Sequence, residues 1–213
     1  VKIEWRTVGV FEENSYLIVD ETTTRAVIVD PGAEPERLIA MIRGSGATLE
    51  AIWLTHGHVD HIGGIVGVQR EWPVPVLMHP LDLPLFSRGA AQAAYYGIPF
   101  EQPTPPDREL AEGQAVLCGS LSFEVQHVPG HSPGHVIFLN GTTMIGGDLL
   151  FAGSIGRTDL PLSNPTHMEE SLARVAELPE ATVVYPGHGP PTNIGRERAS
   201  NPFLSGAVRI VKR

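Results

Sequence analysis

The sequence predicts a mixed α/β fold in which sheets and helices stack as layers. Short apolar runs recur along the whole chain, stretches with a helical buried stripe fall between them, and 23 glycines and 19 prolines punctuate the junctions. Strands come first, then helix and strand by turns. The glycines and prolines are spread along the chain rather than gathered into a linker. The 213 residues are therefore read as one domain, 1–213.

Taken in order, residues 3–10 and 15–19 alternate as strands, with Glu12-Glu13-Asn14 as the turn between them. Ala26-Val27-Ile28-Val29 is a continuous apolar run, the mark of a strand buried on both faces, and Asp30-Pro31-Gly32 stops it. Pro35 suits a first helical turn, Leu38, Ile39 and Ile42 supply a buried stripe, and Gly44 ends that helix. A strand over 50–54 follows. Residues 62–72 are expected to be helical despite Gly63 and Gly64, with free N–H groups of the first turn available to an anion or hydroxide. Residues 74–78 form a strand, and 80–107 a loop or short helix rich in Ala, Pro and aromatics.

The second half reads as strands again from Glu109 to Val128. Leu121, Phe123, Val125 and His127 share one face, so His127 is expected as a hydrogen-bonded core histidine. Strands 136–139 and 142–145 are joined by the hairpin dipeptide Asn140-Gly141. Asn164-Pro165 caps and opens a helix whose buried stripe is Met168, Leu172, Val175 and Ala176. A last strand spans 182–185.

Composition narrows the functional classes. A net charge of −9 argues against a nucleic-acid surface or an anionic-membrane binder. No apolar run reaches the ~18 residues of a membrane helix, and no signal-peptide pattern opens the chain. One cysteine, Cys118, permits no internal disulfide and reads as a packed core residue, with the reducing cytoplasm as the expected home. The partner expected is a small molecule, with the chain a monomer or small homo-oligomer.

The chemistry gathers where apolar strands stop. After Ala51-Ile52-Trp53-Leu54 come Thr55-His56-Gly57-His58-Val59-Asp60-His61, four potential ligands within six residues. The same event recurs at His131, at Asp148 and at His188, each beside glycine, which lets backbone approach closely. Imidazole and carboxylate suit borderline divalent metals. Five histidines and two aspartates are too many for one tetrahedral ion and sensible for two. His135, His79, Thr55 and Asp30 read as supporting or structural residues, with Asp30 fastening the site loops. His167 reads as an exposed residue of a first helical turn.

Thr-His-Gly-His-Val-Asp-His at 55–61, Pro-Gly-His-Ser-Pro-Gly-His at 129–135, Gly-Gly-Asp-Leu-Leu-Phe at 146–151 and Pro-Gly-His-Gly-Pro at 186–190 together resemble the metallo-β-lactamase superfamily. Residues 147–159 are more similar to the glyoxalase II branch and its persulfide dioxygenase relatives than to the β-lactamases, where a cysteine is common in place of Asp148. The resemblance implies a four-layer αββα sandwich, two mixed β-sheets flanked by helices, with the site at one edge. It assigns His56, His58 and His131 to a first metal and Asp60, His61 and His188 to a second. Asp148 bridges them, and Asp60 also acts catalytically by orienting a bridging hydroxide. Two divalent ions are implied, zinc first, with iron or manganese as alternatives.

The implied reaction is hydrolysis of a thioester of the hydroxyacylglutathione type. Arg157 and Arg196 are the candidate substrate contacts. Only 25 residues follow His188, whereas glyoxalase II carries a helical extension that supplies basic contacts to glutathione, so a smaller thioester is a variant of the same reading. Two other classes compete. A mononuclear iron persulfide dioxygenase would use His56, His131 and Asp148, and a non-catalytic metal-binding module would use the ligands without turnover. A nuclease fits the acidic composition poorly.

Overall fold

The computed structural model describes residues 1–210, so residues 211–213 of the expected 1–213 domain lie outside the described residues. Its first half builds one six-stranded sheet. The elements are β1 (Lys2–Val8), β2 (Glu13–Asp20), β3 (Arg25–Val29), α1 (Pro35–Ser45), β4 (Thr48–Trp53), α2 (Val59–Ile62), α3 (Ile65–Glu71) and β5 (Val76–Met78). A 3₁₀ turn at Pro80–Asp82 leads to α4 (Leu83–Phe86), α5 (Gly89–Tyr96) and β6 (Arg108–Glu109). The six strands lie in sequence order, β1 to β3 antiparallel and β3 to β6 parallel.

The second half contributes β7 (Ala115–Cys118), β8 (Leu121–His127), β9 (Val136–Asn140), β10 (Thr143–Gly147), the small hairpin β11 (Leu150–Phe151) and β12 (Ser154–Ile155), α6 (Pro165–Val175), β13 (Val183–Pro186), β14 (Thr192–Asn193) and α7 (Ile194–Ser200). Here the order is β14-β13-β10-β9-β8-β7, with β10 and β13 parallel across the α6 crossover and the other neighbours antiparallel. Both sheets are mixed.

Three cores separate four layers, because alternate residues of a strand face opposite sides. On β2 and β3, Leu17, Val19, Ala26 and Ile28 point to the helices and meet Leu38, Ile42, Ile65 and Val68. Their neighbours Tyr16, Ile18, Val27 and Val29 point inward to Phe123, Val125 and Phe138 of the second sheet. Trp53 anchors that middle layer against Phe123 and Phe138, with ring centroids 5.6 and 5.0 Å away. Ile137, Met144 and Val184 then face Met168, Leu172 and Val175 of α6 on the far side. The αββα sandwich follows from these parities, and Cys118 is buried in the middle layer as expected.

Two local expectations are corrected. The turn between the first strands is residues 9–12, where Gly9 and Glu12 adopt φ of 68° and 54°, so Glu13 belongs to β2 and is buried. The helix expected over 62–72 is two helices, broken at Gly63-Gly64. A Cβ on Gly63 would be 2.5 Å from the Gly32 oxygen, and Gly64 N donates to Pro31 O at 2.7 Å. Contact with the Asp30-Pro31-Gly32 turn therefore interrupts the α-helical ladder. Among the described residues no helix is long and apolar enough to cross a membrane.

Candidate metal centre

All the ligand-bearing segments leave strands at one edge of the sandwich. His56, His58, Asp60 and His61 follow β4, His131 follows β8, Asp148 follows β10 and His188 follows β13. The register that pairs β10 with β13 brings Gly147 opposite Pro186, which places Asp148 beside the Gly187-His188 turn. Gly187 is needed there: a Cβ at that position would collide with Asp148 Oδ1.

The side chains converge in overlapping groups, one of which joins Asp30 to His56 and His61. His56, His58 and His131 offer atoms within 4.8 Å of one another, as do Asp60, His61 and His188. His58 Nδ1 lies 2.9 Å from His131 Nε2 in the first group. In the second, Asp60 Oδ2 is 3.4 Å from His188 Nε2 and 3.9 Å from His61 Nε2. Asp148 reaches both, with oxygens 3.4 Å from His131 Nε2 and 3.5 Å from the Nε2 atoms of His61 and His188. The sequence-assigned sets thus come together as sets.

Three of the imidazoles are oriented through the nitrogen that faces away from the cluster, the arrangement common among metal-ligating histidines. His131 Nδ1 meets the Arg157 carbonyl at 2.9 Å, and His188 Nδ1 the Phe11 carbonyl at 3.0 Å. His61 Nδ1 lies 3.0 Å from Asp30 Oδ2, which also accepts from Thr55 Oγ1 at 2.6 Å. Asp30 holds this position at φ 49°, a strained conformation for a non-glycine residue. His135 is buried, and its Nε2 accepts from Asp148 N at 2.9 Å, so it holds the carboxylate-bearing loop.

Two buried acids in the neighbourhood escaped the sequence reading. Asp82 accepts from Gly57 N, Ser132 Oγ and Gly134 N at 2.8, 2.7 and 2.5 Å, joining the two histidine motifs. It lies in the aperiodic 80–107 stretch, where nothing but residue type marks it. Glu13 lies 3.9 Å from His61 Nδ1. The sequence places it in the turn between the first two strands.

The electrostatics divide the same way as the geometry. Burial drives His56 well below the ordinary histidine value, and holds His58 down to about 3 and His131 to about 4, so the neutral imidazole is favoured in all three. Burial would raise Asp60, but His61 and the His188 hydrogen bond outweigh it and keep the carboxylate ionised. Burial likewise opposes a charge on His61 and His188, yet the carboxylates of Asp148 and Asp60 lift both above the usual range. Burial raises Asp148 itself. The second group is a place that draws positive charge.

These residues fit a metal. Buried polar atoms seldom lack a partner, yet His56 Nε2, His61 Nε2 and Asp148 Oδ1 are buried with none. Their donor chemistry, imidazole and carboxylate, is that of zinc, iron and manganese sites.

The remaining expectations fall around the centre. Arg157 is exposed and forms a two-pronged pair with Asp159 at 2.9 and 3.0 Å, while its carbonyl holds His131. Arg196 is exposed in the first turn of α7. That helix starts beside Glu180 and Thr182, at the opposite end of β13 from His188, so the fold does not bring Arg196 to the cluster. His127 is only half-buried: Nε2 lies 2.8 Å from the Pro133 oxygen, and the ring stacks on His79 at 4.2 Å. His167 is exposed in the first turn of α6.

Residues 8–188 match the Metallo-beta-lactamase superfamily domain. The chain belongs to that superfamily. Within it, the hydroxyacylglutathione hydrolase GloC of Haemophilus influenzae is 36% identical over 210 residues, covering 96% of this chain and 99% of that protein. Among solved structures, TTHA1623 in a di-iron-bound form superposes with a TM-score of 0.88 at 44% identity, covering 94% of this chain and all of that one. The B3 metallo-beta-lactamase BLEG-1 gives 0.90 at 36% identity, covering 96% and 100%. The fold and the glyoxalase II-like kinship expected from the motifs agree with these superfamily relatives.

Proposed function

We propose that the chain is a two-metal hydrolase of small thioesters of the hydroxyacylglutathione type. The observation that carries this reading is the position of Asp148, within 3.5 Å of His131 on one side and of His61 and His188 on the other. His56, His58 and His131 would hold one ion, Asp60, His61 and His188 the other, with Asp148 shared. Two divalent ions there, zinc in this reading with iron or manganese as alternatives, would supply an acidified water and polarise a carbonyl, so no Ser or Cys nucleophile would be required.

The chain's own residues supply orientation and access. Asp60 is ionised and 3.4 Å from His188, which suits its Oδ2 to accept a hydrogen bond from the attacking group and orient it. His188 and Asp60 are the open side of the cluster, with side chains 22% and 20% exposed against 0% for His61. Substrate enters there, past Phe151, whose ring centroid is 5.9 Å from that of His188, and the Phe11–Tyr96 pair. Arg157, exposed and with its carbonyl on His131, is the retained candidate for an anionic part of the substrate.

The GloC relative, matched over nearly its whole length, carries the hydroxyacylglutathione hydrolase name and supports this substrate class. Metal content measured beside S-lactoylglutathione and glutathione persulfide tests the proposal. It expects two ions per chain and thiol release without oxygen uptake. One iron with oxygen uptake on the persulfide would replace it with the dioxygenase reading.

A further inference from the structure

Glu13 is a carboxylic acid that the chain buries beside the centre without an evident ligand role. Its side chain is 1% exposed, and Oε1 is buried with no hydrogen-bond partner, which for such a group is costly. Oε2 accepts from Ser15 Oγ at 2.9 Å, and Ser15 Oγ accepts from Gly32 N at 3.1 Å. The acid is thereby clamped against the Gly32 turn.

Its neighbours form a pattern. Oε1 lies 3.9 Å from His61 Nδ1. A Cβ on Gly32 would collide at once with Glu13 Oε2 and with the backbone oxygen of Asp60, so only a glycine separates Glu13 from the Asp60 turn. The Glu13 backbone forms a bridge with His188, and the adjacent Asn14 N donates to Gly187 O at 2.7 Å. The Glu13 carboxyl therefore reaches His61 and, across Gly32, the Asp60 turn, while its backbone pairs with His188. Among the described residues, no hydrogen bond or ion pair runs from it to His56, His58 or His131.

We propose that Glu13 is a positioning residue for the second ligand set alone, its carboxyl holding His61 and the Asp60 turn in place beside His188. This rests on the two-ion reading of the centre. A positioning residue of this kind changes metal affinity about 10–100-fold when removed.

The test is a zinc titration of metal-free protein, read as equivalents and affinities per chain, on the wild type, Glu13→Ala, Glu13→Asp and Glu13→Gln. His58→Ala and His188→Ala identify which binding step belongs to which set. The expected result is that Glu13→Ala weakens, about 10–100-fold, the step that His188→Ala abolishes. The step that His58→Ala abolishes stays within about threefold of wild type. Glu13→Asp, which withdraws the carboxyl by one methylene, weakens the same step if Glu13→Ala does not fold. Glu13→Gln, of nearly equal shape, stays closest to wild type. Equal weakening of both steps, or of neither, overturns the proposal while leaving the two-ion reading intact. Fewer than two equivalents on the wild type overturns both.

Discussion

Asp82 accepts a hydrogen bond from Ser132 Oγ at 2.7 Å, and that bond ties the loop after β8 to a turn that follows β5 in the other sheet. The same carboxylate accepts from Gly57 N at 2.8 Å, between His56 and His58. One buried acid thus fixes both segments that deliver the first histidine set. Replacing it by alanine would leave Gly57 N, Gly134 N and Ser132 Oγ without their partner. Asp82→Ala is expected to destabilise the metal-free protein by about 2–4 kcal/mol in urea denaturation, the scale of a broken charged network. A loss below about 1 kcal/mol would show that the loops hold without it.

Gly187 has no unusual φ, so a side chain there tests space alone. Its Cβ would collide with Asp148 Oδ1 and approach His61 to 2.9 Å. Gly187→Ala is expected to keep the fold, seen as an unchanged far-ultraviolet circular dichroism spectrum, while lowering zinc affinity at least tenfold. Unchanged zinc affinity would mean that Asp148 does not need the position it occupies here.

The opposite edge of the sandwich offers a test independent of metal. Asp20 accepts from Thr23 Oγ1 at 2.6 Å, from Ser120 N and Oγ at 2.7 Å each, and from Thr22 N at 2.9 Å, joining the end of β2 to the β7–β8 turn. The Thr23 hydrogen bond first, then those of Ser120, hold its carboxyl below the ordinary value. A depressed folded pKa contributes stability that is fully present above the unfolded value of about 3.9 and is lost as pH falls through the folded one. The stability gap between wild type and Asp20→Asn, from urea denaturation of metal-free protein, is therefore expected to be largest above pH ~5 and to shrink below pH ~4. A gap that is flat down to pH ~3 would contradict the assignment.

The candidate ligands were legible because each follows an apolar strand beside a glycine, a pattern that needs no knowledge of topology, whereas their division into two sets came only from the family resemblance. The burial of β3 was legible from its composition: Ala26 to Val29 reads as buried on both faces, and all four residues are. The strand order was not, since nothing local says that β10 pairs with β13 across α6 or that Glu13 bridges to His188. Asp82 was hidden for a related reason. Its partners are 25 to 52 residues away in sequence, so no window along the chain contains them. Gly63-Gly64 was visible as a helix weakness, but the break was set by contact with Pro31 and Gly32. Arg196 was chosen on charge alone, and charge carries no information about which end of a strand a residue occupies.

The central claim is that this centre hydrolyses a thioester. The most direct measurement is thiol release from S-lactoylglutathione by zinc-loaded protein, followed with a thiol-reactive dye alongside His131→Ala. The account predicts steady turnover by the wild type and a loss of at least a hundredfold in the variant. Protein carrying two zinc ions per chain that releases thiol no faster than the variant would contradict it.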